Sequence, residues 1–265
     1  MLGADSEISL TIATAIEMLH TATLVHDDLI DGSLLRRGCP TLNAQWSPDA
    51  SILTGDFLFA RAANLAAETN SIPIMRIFAQ TLTTIVNGEL VQLLSIDQPI
   101  DRGFYFERIY AKTAALFEMC AIASALACDT DHEVIGQLRQ FGYSIGIAFQ
   151  IVDDILDFNG QLATLGKPIG NDLRQGIITL PTILYFQEHP NNEQVKNFRL
   201  DHGIKSSCNE QILIEAICAS DAIAKSYNVA EEYIRKGVEA LRFLPDIPER
   251  RILEELAAYI TSRQV

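Results

Sequence analysis

The chain has 265 residues, a formal net charge of −14, 48% hydrophobic residues and a mean hydropathy of +0.15. A chain this acidic repels nucleic acid and anionic membranes, so any anionic ligand must be bound through metal ions or a local basic cluster. Its length suits one large domain or two small ones. The five cysteines form no C-x-x-C pair, and the apolar run Ala114–Cys128 is too short to span a bilayer. We therefore predict a reduced, cytoplasmic chain with no membrane span and no nucleic-acid partner.

Apolar periodicity predicts long helices joined by short loops. The first helix covers 7–31 and ends in an acidic cluster, and a loop follows at 32–47. Ser47 before Pro48 marks the start of a helix that runs to about residue 69. Further helices are predicted at 72–97, 101–128, 130–158, 177–188, 191–199, 208–219, 220–241 and 248–262, with a glycine-bearing loop at 159–175. The fold class is therefore all-α, a helix bundle around a central cavity.

Two acidic clusters share the pattern D-D-x-x-D, one at 27–31 and the other at 153–157. In a helix the first and last aspartates of each cluster lie one turn apart on the same face, where they can grip one cation together. Each cluster ends an apolar helix, where negative charge opposes the helix dipole. A single such cluster is often a solvated helix end, but two with identical spacing predict bound Mg²⁺, shared with phosphate oxygens.

Basic residues recur beside both clusters of this acidic chain. Arg36 and Arg37 follow the first cluster, Lys167 lies in a loop shortly after the second, and Lys112 precedes Thr113 inside a helix. Each alone is typical of a solvated surface. Together with metal ions, such groups would stabilise a diphosphate leaving group while a C–O bond breaks.

These motifs resemble the trans-isoprenyl diphosphate synthase (polyprenyl synthetase) family. The matching stretches occur in family order over nearly the whole chain: His26–Asp31 with Arg36-Arg37-Gly38, Gly55-Asp56-Phe57-Leu58, Gly88-Glu89 with Gln92, Lys112-Thr113, Gly146 with Phe149-Gln150 and Asp153–Asp157, and Gly166-Lys167-Pro168-Ile169-Gly170-Asn171-Asp172-Leu173. The resemblance implies one domain over 1–265 with the isoprenoid-synthase helical bundle, usually as a homodimer. It implies that isopentenyl diphosphate condenses head to tail with an allylic diphosphate.

The resemblance also implies roles for individual residues. Three Mg²⁺ ions are expected, with the following ligands: Asp27, Asp28 and Asp31 for two of them, and Asp153, Asp154 and Asp157 for the third, with Asp172 in or near its shell. The groups expected to hold the allylic diphosphate are Arg36, Lys112, Gln150 and Lys167, with Thr113 lining the site. Arg37 is expected to hold isopentenyl diphosphate. Catalysis is assigned to the aspartates Asp27, Asp28, Asp31 and Asp153 together with Arg36, Lys112, Gln150 and Lys167. Pyrophosphate is expected to take the proton, since no side-chain base is evident.

The chain departs from the family pattern in two places. A G-G-K-R-x-R-P segment that binds isopentenyl diphosphate normally precedes the first cluster, and here Met1 stands where the family's second helix begins, without the family's first helix. Two explanations are open: the sequence starts inside a longer gene product, which we favour, or the chain lacks half of that pocket. The sequence after the lysine loop reads Gly176-Ile177-Ile178-Thr179, without the family's frequent second lysine.

Product length in the family depends on the side chains below the first cluster. Ala22 and Thr23 precede Asp27 by five and four residues and are both small, so they leave room for a growing tail. We predict a product of about thirty carbons or more, with Leu19 and Met18 as deeper walls. Ala22 as a simple packing residue remains an alternative.

Three other functions stay open. A shorter-chain synthase of the geranylgeranyl type would have the same motifs. A class I terpene cyclase shares the chemistry, but the second D-D-x-x-D cluster and the low aromatic content argue against it. A non-catalytic subunit of a heteromeric synthase would usually lack the acidic clusters.

Overall fold

The computed structural model describes residues 3–94, 100–128, 130–159, 169–200 and 207–263. It confirms the all-α prediction. The α-helices are α1 (Ser6–Ile30), α2 (Leu42–Gln45), α3 (Pro48–Glu68), α4 (Ile72–Leu94), α5 (Arg102–Ile109), α6 (Ala115–Leu126), α7 (His132–Leu156), α8 (Asn171–Arg174), α9 (Leu180–Glu188), α10 (Glu193–Leu200), α11 (Ser207–Cys218), α12 (Ala222–Leu241) and α13 (Pro248–Ser262).

Helix starts follow the local chemistry that the sequence indicated. The Ser47 side chain caps α3 by accepting from the Ala50 N–H at 3.1 Å, with Pro48 as the first helical residue. Asp101 caps α5 by accepting from the Phe104 N–H at 3.0 Å. Residues 95–97, which were predicted to end the helix at 72–97, lie outside the described residues.

Three predicted elements differ in the structure. The loop predicted at 159–175 contains, among its described residues, the short helix α8 (Asn171–Arg174). The loop predicted at 32–47 contains a small antiparallel hairpin, with β1 (Leu35–Arg36) paired to β2 (Cys39–Pro40), and the short helix α2. The helix predicted at 101–128 is divided into α5 and α6 by a π-helical turn, Tyr110–Ala114. Apolar periodicity cannot reveal such a turn, because one extra residue per turn changes the phase of the pattern only locally.

The chain divides into two compact units: unit 1 contains Met1–Thr83 and Met119–Gly136, and unit 2 contains Thr84–Glu118 and Gln137–Val265. Whether the chain acts as the single domain predicted from its sequence stays a prediction. In unit 1, α1 packs along α3. The buried face of α1 has helical spacing, Ile12, Ala15, Leu19 and Ala22, and the buried positions of α3 are small residues that allow close approach.

Unit 2 is built around α7, which is buried over much of its surface between Leu138 and Leu156. Helix α9 is buried without interruption from Leu180 to Phe186. Helices that are apolar on all sides form the interior of a helical protein. The second acidic cluster therefore ends a rigid, buried helix.

Two helical stretches, Ser6–Ile30 and Arg102–Leu126, are long and apolar enough to cross a bilayer by length and composition alone. Core helices of soluble proteins pass the same test, and Ala15, Leu19 and Ala22 use the apolar face of the first stretch inside unit 1. The expected lack of a membrane span stays a prediction.

Gly146 allows α7 to approach the π-helical turn closely. A Cβ atom added to Gly146 would lie 2.6 Å from the Ala114 Cα and 3.1 Å from the Phe117 Cβ, and the first of these atoms is backbone. We therefore expect Gly146→Ala to lower the free energy of unfolding by about 2 kcal/mol, the usual cost of overpacking a core. Urea denaturation followed by circular dichroism measures this change.

Gly136 lies in the same helix and is the matched control. A Cβ at Gly136 would meet no atom within 4 Å. Gly136→Ala should be neutral or stabilise by about 0.5 kcal/mol, since alanine favours the helix. Equal effects of the two substitutions would contradict the close approach at Gly146.

Candidate active site

The first acidic cluster lies where α1 ends in unit 1. Gly32 has a φ of +62°, its N–H donates to the Leu29 carbonyl at 3.2 Å, and the Ser33 N–H donates to the Asp28 carbonyl at 2.9 Å. This pair of bonds is a Schellman motif, which requires a left-handed residue that glycine adopts without strain. It ends the helix at the cluster and leaves Asp31 exposed and Asp27 half-buried.

Asp28, in contrast, is buried, with 8% of its surface exposed. Both of its carboxylate oxygens accept from the Arg36 Nε, at 2.8 and 3.0 Å. Arg36 was predicted to bind diphosphate and Asp28 to bind metal. The structure pairs them, so the carboxylate of Asp28 orients the guanidinium of Arg36.

The hairpin turn after Arg36 holds Arg37 in a rare backbone conformation. Arg37 has a φ of +51° and Gly38 one of +79°. Positive φ at both central residues is the geometry of a two-residue hairpin turn, and it is unfavourable for a residue other than glycine. Arg37 is exposed, so this conformation presents its side chain to solvent beside Arg36.

His26 fixes the end of α1 against α3. Its ring lies edge-on to Phe59 with centroids 5.2 Å apart, and its Nε2 lies 3.1 Å from the Ile52 carbonyl oxygen. A Cβ at Gly55 would come within 2.1 Å of Nε2. Gly55 is therefore needed for this contact.

In unit 2, the second cluster is organised around Asp154. Asp154 is 5% exposed, and its two oxygens accept from the Tyr105 hydroxyl at 2.8 Å and the Gln150 Nε2 at 2.9 Å. The Gln150 Oε1 in turn accepts from the Thr113 hydroxyl at 2.6 Å. Two predicted diphosphate-site residues, Thr113 and Gln150, are thus joined to one buried carboxylate.

Burial and, after it, the negative charge of Asp172 raise the pKa of Asp154 to about 7, against the opposing hydrogen bonds from Gln150 and Tyr105. Burial and the Asp154 charge raise the pKa of Tyr105 well above its usual value, so its hydroxyl remains a donor. Asp154 is unfavourable to ionise because it is buried and close to the charge of Asp172, so a nearby positive charge would stabilise its ionised form.

Asp153 is more open, and a cation already contacts it. The Arg263 Nη2 donates to the Asp153 Oδ1 at 2.8 Å. Burial raises the pKa of Asp153 and Asp172 adds to this effect, while the Arg263 guanidinium opposes it. Asp157 accepts hydrogen bonds from the backbone near the start of α8. Its Oδ2 accepts from the Asp172 N–H at 3.1 Å, and its carbonyl accepts from the Gly170 N–H at 2.9 Å.

Lys112 and Thr113 lie in the π-helical turn. The Lys112 ammonium is 3.7 Å from the Glu89 carboxylate, a distance typical of a loose and displaceable ion pair. π-Helical turns are frequent at functional sites because they turn side chains away from their regular helical directions. Here the turn brings the Thr113 hydroxyl to Gln150.

Below the first cluster, Ala22 is fully buried and the Thr23 hydroxyl donates to the His20 carbonyl at 2.7 Å. Leu19 is also fully buried, whereas Met18 is only partly so. Further down α1, a small apolar cavity lies inside unit 1. Its lining residues are Ile12, Ala15, Ile16, Ala66, Ile74, Ile77, Phe78, Met119 and Ala123.

One predicted site residue is not described by the structure, and two residues that contact the second cluster were not predicted. Lys167 lies outside the described residues. The Asp154 network depends on Tyr105, which sequence analysis missed because it is 49 positions away and belongs to no recognisable motif. Arg263 was missed for the same reason, being 110 positions from Asp153.

The carboxylates of both clusters fit a hard divalent cation. The first and last aspartates of each cluster are four residues apart and can offer oxygen ligands to one ion. In the second cluster, the buried carboxyl of Asp154 beside Asp172 would also be stabilised by a cation. Across the part of the chain that the structure describes, no three His, Cys, Asp or Glu side chains converge into a ready-made ligand group. Mg²⁺ suits such an open arrangement, because it usually takes one or two carboxylates and completes its shell with water and phosphate oxygens.

Comparison with known proteins gives the same family over most of the chain. The family model described as polyprenyl synthetase matches residues 1–217. The heptaprenyl diphosphate synthase component 2 of Geobacillus stearothermophilus is 38% identical over 263 residues, which is 98% of this chain and 80% of that protein. The octaprenyl diphosphate synthase of Escherichia coli strain K12 is 37% identical, over 99% of this chain and 81% of that protein.

A solved structure agrees with the fold. The polyprenyl synthase of Caulobacter crescentus CB15, complexed with calcium and isoprenyl diphosphate, superposes with a TM-score of 0.89 and 37% identity, covering all of this chain and 81% of that one. The fold is therefore the helical fold of the isoprenyl synthases. The chain belongs to the polyprenyl synthetase family and is a prenyltransferase.

Proposed function

We propose that this chain catalyses the Mg²⁺-dependent 1′–4 condensation of isopentenyl diphosphate with an allylic diphosphate, and that it makes a trans-polyprenyl diphosphate of about thirty carbons or more. One observation carries the proposal. In both D-D-x-x-D clusters the second aspartate is buried and binds a predicted diphosphate donor: Asp28 holds Arg36, and Asp154 holds Gln150. The outer aspartates of each cluster are more exposed and are the proposed metal ligands.

The side chains have distinct tasks in this proposal. Arg36 and Lys112 donate to oxygens of the allylic diphosphate, and their attraction grows as negative charge develops on the departing pyrophosphate. Gln150 offers a donor whose direction is fixed by Thr113 and Asp154. Arg37 holds isopentenyl diphosphate.

When bound, Mg²⁺ would supply positive charge to the diphosphate leaving group, held by Asp27 and Asp31 in one cluster and by Asp153 in the other. Asp157 supports the loop that carries Asp172. The proton lost after carbon–carbon bond formation goes to pyrophosphate. Tyr105 is no candidate base, since its raised pKa keeps the hydroxyl protonated.

The elongation reaction can be tested directly. We expect the purified chain to convert farnesyl diphosphate and labelled isopentenyl diphosphate into labelled long-chain products in the presence of Mg²⁺, with loss of product in EDTA and recovery when excess Mg²⁺ is restored. Chromatography of the extracted products against polyprenol standards measures both yield and length.

Two results would contradict the proposal. Consumption of the allylic diphosphate into hydrocarbons without isopentenyl diphosphate would indicate a terpene cyclase. Incorporation that is unaffected by EDTA would remove the metal from the mechanism.

The length of the product is proposed to depend on the apolar cavity in unit 1. Ala22, Leu19, Ala15 and Ile12 form one buried face of α1 below the first cluster. Asp27 and Ile12 are fifteen residues apart, so the cavity lies about 22 Å along the helix from the cluster. Phe78 is the bulkiest side chain that lines it.

We expect Phe78→Ala to lengthen the product by one or more isoprene units, because it removes the bulk that would stop the growing tail. Phe141→Ala is the matched control, because Phe141 is buried to a similar degree but lies in unit 2. Both substitutions should cost about 3 kcal/mol of stability. Product length is measured as above, and an equal shift in both variants would contradict the assignment of Phe78.

We also propose that the chain forms a homodimer. Among the residues described on α4, Val86, Leu90, Leu93 and Leu94 are exposed and share one side of the helix. The helix contains only two ionisable residues, Arg76 and Glu89. Two copies of an acidic chain can therefore meet along it without repelling each other there.

Leu90→Glu should shift the protein towards monomer, since a self-complementary interface would bury the new charge twice. Sedimentation velocity measures the mass. Leu256→Glu, at an exposed apolar position of α13, should leave the dimer intact. A wild-type monomer at micromolar concentration would refute the homodimer.

A cytoplasmic location is part of the proposal. Cys39, Cys120, Cys128 and Cys218 are unpaired in the described residues. Unpaired thiols are typical of proteins from reducing compartments.

A further inference from the structure

Arg263 is bound at the second acidic cluster by several contacts. Its Nη2 donates to the Asp153 Oδ1 at 2.8 Å and to the Phe149 carbonyl at 3.4 Å. Its guanidinium carbon lies 4.0 Å from the centroid of the Phe149 ring, within the range of cation–π attraction. The side chain is 15% exposed, whereas that of Asp153 is 38% exposed.

This position is the one that a metal ion would need. Mg²⁺ binds carboxylate oxygens at about 2.0–2.1 Å, well inside the present contact, so ion and guanidinium compete for the same oxygen and repel each other. Asp172 adds negative charge beside Asp153. Some cation must therefore balance the cluster before metal arrives.

We propose that Arg263 is an internal counter-ion that occupies Asp153 in the metal-free protein and leaves it when the divalent cation binds. The inference rests on the proposed function, because it takes Asp153 as a metal ligand. It assigns to Arg263 a positioning role that no motif indicated.

The contacts around Arg263 suit a reversible exchange. Only the bond to Asp153 is short; the bonds to the Phe149 and Ile260 carbonyls are both 3.4 Å. Arg263 also stands where α13 ends, with an extended ψ of 132°, so the side chain can move without unwinding the helix. The Phe149 ring supports the guanidinium in either position, because stacking on an aromatic face is weakly directional.

The test measures Mn²⁺ binding to the full chain in the absence of substrate, by the electron paramagnetic resonance signal of free Mn²⁺. We expect Arg263→Gln to bind Mn²⁺ about fivefold more tightly than the wild type, since no charge-assisted bond at this partly exposed site has to be broken. Arg263→Lys keeps the charge and should stay close to the wild type. Arg235→Gln is the charge-matched control, because Arg235 pairs only loosely with Glu239 on the surface of α12, and it should change nothing.

A second readout separates competition from simple support of the fold. In an Asp153→Asn background, Arg263→Gln should no longer alter Mn²⁺ affinity, since the contested oxygen has lost its charge. Unchanged or weaker Mn²⁺ binding by Arg263→Gln in the wild-type background would overturn the inference. Failure of both the wild type and Arg263→Gln to bind Mn²⁺ would overturn it as well.

The outcomes also separate this inference from the proposed function. Elongation that needs Mg²⁺, with equal Mn²⁺ affinity in the wild type and Arg263→Gln, would reject the counter-ion alone. Tighter Mn²⁺ binding by Arg263→Gln without any elongation would reject the proposed reaction and keep the counter-ion.

Discussion

Each acidic cluster depends on the same constraint: one of its carboxylates is taken out of water and must be compensated by a donor. Asp28 and Asp154 are both buried, and both use their oxygens on protein donors rather than on solvent. A buried charge of this kind is unfavourable unless its partners are well aligned. The alignment makes Arg36 and Gln150 rigid, and rigid donors are what electrostatic stabilisation of a leaving group requires.

The same constraint accounts for the local backbone geometry beside each acidic cluster. The Schellman motif at Gly32 stops α1 where Asp28 can meet Arg36. Gly146 brings the backbone of Ala114 against α7, one turn before Gln150. The position of Arg36 and Gln150 therefore depends on where the helix ends, on how closely the backbones approach, and on the carboxylates that pair with them. A change in any one of these features would move the two donors rather than remove them.

Much of this could be predicted from the sequence, and the rest could not, for physical reasons. Apolar spacing and helix caps gave the helices, because both signals are local, as at Ser47 and Asp101. The two D-D-x-x-D clusters and their basic neighbours were also recognisable. The partners of the buried carboxylates were not, since Tyr105 and Arg263 reach Asp154 and Asp153 only through tertiary packing. The hydrogen bonds between Asp28 and Arg36 were not recognisable either, because they depend on the burial of Asp28, which the motif does not encode.

The π-helical turn at Tyr110–Ala114 has a consequence for how this sequence can tolerate length changes. Such a turn contains one residue more than the α-helical turn it replaces. Deletion of a single residue there would restore an ordinary helical turn and leave α5 and α6 in nearly their present rotation, because the extra residue is accommodated within that one turn. The side chains of the turn itself would be displaced, so Thr113 could no longer face Gln150. The helical stretch can thus lose one residue here and keep its backbone hydrogen bonding, but it would lose the contact between Thr113 and Gln150.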